Sequence, residues 1–122
     1  GVEAYGRENG VGVLLADGVQ PDIDYSNGFV DFLGIKHYTF NIHGGTSGIL
    51  GEMARRGIEA SRQTTVNLPS RIRMATLYAI AQSVDAGIVV NTSNLSEDWV
   101  GYCTIYGDSA GACSPIGMYT TE

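Results

Sequence analysis

At 122 residues the chain is long enough for one domain with a limited core, and its 43% hydrophobic and 16% charged composition excludes a fibrous or disordered protein. No apolar run approaches the length that a bilayer span needs, so the reading is of a soluble protein. Seven basic against thirteen acidic side chains leave a net charge of −6, which argues against a general binder of nucleic acid or anionic membranes. Small molecules or proteins are the expected partners, and a local anion site stays compatible with that charge.

Read in chain order, "VGVLLA" from Val11 to Ala16 is a continuous apolar run bounded by Gly10 and Asp17-Gly18, as expected of a strand covered on both faces. In "QPDIDYSNGFVDFLGI", Ile23, Val30 and Leu33 fall near helical spacing and Asp22 and Asp24 favour the first turn, which predicts a helix ending around Gly34. "HYTFNI", His37 to Ile42, predicts a second strand, and "SGILGEMARRGI" a helix closed by Gly57. "HGGTSG" between them lacks the Lys-Ser/Thr ending of a phosphate-binding loop and is read as a plain loop. Asn67 as N-cap and Pro69 in the first turn predict a helix from about Asn67 to Val84, with Arg71 and Arg73 in its first two turns. "GIVVNT", Gly87 to Thr92, predicts a third buried strand, followed by a short helix across "LSEDWVGYC" and a glycine-rich loop. Strands alternating with helices imply an α/β fold with an open parallel sheet, helices on both faces and right-handed crossovers, as one domain over residues 1–122.

Ligands of open parallel sheets bind beyond the carboxyl ends of the strands. The residues there are Asp17 to Gln20, His43-Gly44-Gly45 and Thr92-Ser93-Asn94. Thr92 offers a hydroxyl at the strand end. Glu97 has two readings: a magnesium ligand for a polyphosphate, or the acid of an Asn94-x-x-Glu97 capping box. Arg71 is either a solvated surface arginine or a bidentate partner for an anion. His37 and His43 support no defined nucleophile pairing, and Trp99, Tyr102 and Tyr106 are read as core or interface aromatics. Cys103 and Cys113 match no zinc spacing, and with no signal peptide in the sequence the expected setting is cytoplasmic.

"NLPSRIRMATLYAIAQ", "NTSNLSEDWVGY" and "YGDSAG", in this order, resemble the ammonia-dependent NAD synthetases, and "GVLLADGVQPDIDYS" with "LGIKHYTFNI" extends the resemblance over almost the whole chain from Gly10. It implies an adenine-nucleotide hydrolase-like, Rossmann-like fold, a homodimer, and conversion of deamido-NAD to NAD with ATP, magnesium and ammonia. Position by position, it implies that Arg71 contacts deamido-NAD, Thr92 contacts ATP and Glu97 binds Mg2+. It assigns no catalytic side chain.

Departures accompany the resemblance. Ile105 stands where the family commonly has a basic residue, Ala112 where an acidic one contacts substrate, and Thr121 aligns approximately with a lysine that contacts ATP. Loss of both charges implies an altered substrate pocket. The family's Ser-Gly-Gly-x-Asp-Ser loop does not occur in the 122 residues, "GVEAYGREN" resembles the end of the helix that follows that loop, and "TTE" resembles the start of another. The expectation is therefore an internal fragment with an incomplete sheet, inactive by itself. The competing expectation is a non-catalytic nucleotide-binding or oligomer-forming remnant of the same fold.

Overall fold

The computed structural model describes residues 2–19 and 23–121; Gln20 and Asp22, singled out above, lie outside them, as does Glu122 of "TTE". The chain falls into two compact units, Gly1–Ile49 and Leu50–Glu122.

The first unit opens with a short helix α1, Val2–Tyr5, and a 3-10 turn, Arg7–Asn9, in keeping with the helix end expected of "GVEAYGREN". β1, Val11–Ala16, and β2, Lys36–Asn41, pair in parallel, Val11 opposite Lys36 through Ala16 opposite Asn41. The crossover between them is helix α2, Ile23–Leu33. It ends at Gly34, whose φ of +61° costs a glycine little and lets its N–H reach the carbonyls of Val30 and Asp31. Val30, buried, fixes where α2 meets the sheet: a Cβ placed on Gly12 of β1 would lie 3.1 Å from Val30 Cγ1. Gly12 is therefore the gap that the helix fills. Ala16 and Ile42, at the strand ends, are also buried.

Helix α3, His43–Arg55, starts in the first unit and earlier than the sequence suggested. The stretch read as a loop, "HGGTSG", is its opening turn. The reason is tertiary: Asn41 Oδ1 accepts from His43 N (3.0 Å), and Thr46 Oγ1 donates to Asp17 Oδ1 (3.1 Å), so strand-end acceptors satisfy donors that glycines alone would leave unfixed.

In the second unit, helix α4 spans Arg62–Ser83 and is capped by Ser61, whose Oγ accepts from Thr64 N at 3.1 Å. The predicted start at Asn67 is corrected by that cap: Asn67 is interior, Pro69 opens the third turn, and Arg71 sits mid-helix, away from the terminal dipole. The predicted third strand is also corrected. Val90 makes one parallel bridge, to Cys113, supported by Ala112 N to Val89 O and Asn91 N to Cys113 O, both 2.8 Å. Val89 is nevertheless buried, as expected of that apolar run. Helix α5, Leu95–Val100, ends at Gly101 (φ +66°). Trp99, Tyr102 and Tyr106 are exposed in this chain, which corrects the core half of their reading. Thr120 and Thr121 are not helical.

Candidate functional site

In the second unit the strand-end segment, the middle of α4 and the loop Thr104–Asp108 are joined by hydrogen bonds that centre on Asp108. One carboxylate oxygen, Oδ1, accepts from Ser70 Oγ at 2.8 Å and the other, Oδ2, from Thr104 N at 3.2 Å. The Asp108 carbonyl accepts from Asn91 Nδ2 at 3.1 Å and from Ser93 Oγ at 3.4 Å. Asn91 is only 6% exposed, and its Oδ1 also accepts from Ser93 N, so its amide is committed to shaping the backbone on both sides of Thr92. Thr104 Oγ1 donates to Asn67 Oδ1 at 3.1 Å, a second tie between loop and helix.

The loop seats against α4 through Gly107, which is buried. A Cβ there would stand 2.9 Å from Ser70 Cβ and 3.1 Å from Thr104 Cβ, so only glycine permits the approach. Tyr106 beside it has a φ of +60°, a conformation that costs a non-glycine residue about 1–2 kcal/mol. The surrounding bonds offset that cost.

Arg71 is exposed on α4, and its Nε donates to the Ile105 carbonyl at 3.1 Å. The backbone of Ile105 thus meets Arg71, whereas the Ile105 side chain is exposed. Thr92 is exposed at the strand end, between the anchored Asn91 and Ser93. Glu97 is a capping-box acid: its Oε2 accepts from Asn94 N at 3.0 Å, while Asn94 Oδ1 accepts from Ser96 N and Glu97 N. Leu95 N reaches the Tyr119 carbonyl at 2.8 Å. The first donors of α5 are thereby all taken, so an anion at this point must be held by side chains. Thr121 N and Oγ1 both bond Ser96 Oγ, so Thr121 ties the chain end to α5.

At the strand ends of the first unit, His43 Nδ1 lies 3.0 Å from Asp17 Oδ1, the oxygen that also takes the Thr46 hydroxyl. Asn41 holds Gly18 on both sides, accepting from its N–H at 3.2 Å and donating to its carbonyl at 3.4 Å. His43, read above as a loop residue, is the first residue of α3 and pairs with the acid that follows β1.

The roles of Asn67, Ser70, Asn91 and Thr104 were not readable from the sequence, because the side-chain bond that ties each to another segment spans 17 or more residues: Ser70 to Asp108 by 38, Asn67 to Thr104 by 37, Asn91 to Asp108 by 17. The available signal was an isolated Gly-Asp in a loop of exposed aromatics.

A family model described as NAD synthase matches residues 1–122. The NH(3)-dependent NAD(+) synthetase of Methanosarcina acetivorans is 34% identical over 125 residues, covering 99% of this chain and 48% of the relative. The NH3-dependent NAD synthetase from Campylobacter jejuni, solved in complex with the nitrate ion, matches with a TM-score of 0.81 at 27% identity, over 97% of this chain and 50% of that one. A glutamine-dependent NAD+ synthetase from Acinetobacter baumannii, solved in complex with ADP, has the same fold, with a TM-score of 0.83 at 24% identity over 98% of this chain and 23% of that one. The fold is the α/β, parallel-sheet, adenine-nucleotide hydrolase-like one expected. The chain spans about half the length of the curated relatives it matches.

Proposed function

The chain belongs to the NAD synthase family, and on that premise we propose that it supplies part of a site in which ATP activates the nicotinate carboxylate of deamido-NAD for amidation to NAD. A carboxylate is a poor electrophile. Attack of its oxygen on the α-phosphorus of ATP expels pyrophosphate and leaves a mixed anhydride, and ammonia then attacks the acyl carbon and displaces AMP. The site's work is positioning and charge neutralisation.

The observation that carries this reading is the Asp108 hub, which fastens the helix turn bearing Arg71 and the strand end bearing Thr92 to one residue. In the proposal Arg71 binds deamido-NAD; its Nε bond to the Ile105 carbonyl steadies the guanidinium. Thr92 contacts ATP from the strand end. Glu97 fits magnesium as a single hard oxygen donor. Among the described residues no three His, Cys, Asp or Glu side chains form a group that could hold a metal ion. When bound there, magnesium would neutralise phosphate charge. A homodimer, one domain over residues 1–122 and a cytoplasmic location belong to the same proposal; the free thiols of Cys103 and Cys113 suit a reducing compartment.

The test is NAD formation by the complete protein carrying these residues, given deamido-NAD, ATP, magnesium and ammonia. Arg71→Ala should raise the KM for deamido-NAD by about tenfold or more, the worth of one charge-assisted hydrogen bond, and leave that for ATP nearly unchanged. Glu97→Gln keeps an acceptor for Asn94 N, so α5 should persist while the magnesium requirement rises. No NAD from the full mixture would sink the proposal.

A further inference from the structure

From the same geometry, and resting on the functional reading above, we infer that Asp108 is a positioning residue that couples the deamido-NAD half of the site to the ATP half. Its two ends face different segments. The carboxylate grips α4 through Ser70, next to Arg71, and grips its own loop through Thr104 N. The carbonyl of the same residue grips Asn91 and Ser93, on either side of Thr92. A loop residue bonded only to its own turn would leave these segments independent; this one makes the place of each depend on the other. The close seat of Gly107 on Ser70 sets the loop against the helix, and Tyr106 beside it takes a left-handed backbone there.

Asp108 touches neither ligand in this account and acts through Arg71 and Thr92. Losing its side chain removes the Ser70 tie and the brace on Thr104 N, leaving the loop on α4 through Thr104–Asn67 and Arg71–Ile105, so the carbonyl that remains is less firmly placed to hold Asn91. Both halves should then loosen together. Asparagine would restore the grip, because its amide oxygen accepts from Thr104 N–H and its NH2 donates to the Ser70 hydroxyl.

The experiment titrates the complete protein separately with deamido-NAD and with magnesium ATP by calorimetry, for the parent, Asp108→Ala, Asp108→Asn, Asn91→Ala and Ser70→Ala with Asp108→Ala. Asp108→Ala should weaken both ligands by about tenfold, the loss expected for one hydrogen-bonding link to a charged group. Asp108→Asn should bind both within about threefold of the parent, on the scale of a tenths-of-a-kcal/mol change. Asn91→Ala should weaken ATP and spare deamido-NAD, and the double variant should be no worse than Asp108→Ala, since Ser70 and Asp108 form one link. Parent-like affinities in Asp108→Ala, or equal losses of both ligands in Asp108→Ala and Asn91→Ala that simply follow their melting temperatures, would overturn the inference while the functional reading stands. A parent protein that binds neither ligand would bring down both.

Discussion

The two units hold their strand ends in different ways. In the first, β1 and β2 share a six-residue parallel register, and Asp17, Asn41 and His43 add side-chain bonds to a geometry that the backbone ladder has already fixed. In the second, the apolar run that ends in Asn91 has one bridge, and side chains from α4 and the 104–108 loop supply the rest. A ladder spreads its stability over many equivalent bonds, whereas a hub concentrates it in a few groups whose loss has no substitute. The proposed ligand contacts Arg71, Thr92 and Glu97 all lie in the unit built the second way.

Substitutions can break or sharpen this contrast. The largest effect is expected from Gly107→Ala, because the new methyl would sit 2.9 Å from Ser70 Cβ and force the loop off α4. Denaturant unfolding should register a loss of about 1–3 kcal/mol; a neutral result would mean that the hub is not tightly seated. Asn41→Ala, which removes bonds to Gly18 and His43 beside an intact ladder, should cost about 1 kcal/mol and leave the amides of β1 and β2 protected from hydrogen exchange. Loss of that protection would erase the distinction between ladder and hub.

The smallest effect is expected away from both strand ends, at Glu52 on α3. Arg55 foremost, and then Arg56, hold its carboxyl below the ordinary 4.5 through side-chain hydrogen bonds. A lowered folded-state value means that this stabilisation is complete above the unfolded value near 4.5 and fades as pH falls through the folded one. Since Glu52 is solvent-exposed, Glu52→Gln should shift thermal melting slightly at neutral pH, less in high salt, and not at all at strongly acid pH. A difference that grew on acidification would contradict the pairing.

Much of the architecture was legible in the sequence for local reasons. The bounds of β1 follow from an apolar run between Gly10 and Asp17-Gly18, the end of α2 from Gly34, and α5 from the Asn94-x-x-Glu97 box, whose bonds span three residues or fewer. The Val89 to Asp108 stretch also carried the resemblance to the NAD synthetases, and the family match over residues 1–122 agrees with it. The start of α4 misled because Asn67 and Pro69 have the chemistry of a helix beginning, yet Ser61 had already begun it and Asn67 serves Thr104 instead.

What the sequence by itself determined, then, is where local patterns mark their own elements: the apolar and β-branched runs of β1 and β2, the crossover helix, the capping box. Only the tertiary structure decided that "HGGTSG" is helical, that the third apolar run pairs with Cys113, and that Tyr106-Gly107-Asp108 ties Ser70 to Asn91. The physical reason is common to all three. A buried or strand-end polar group must find a partner, and when that partner lies tens of residues away no local periodicity records it.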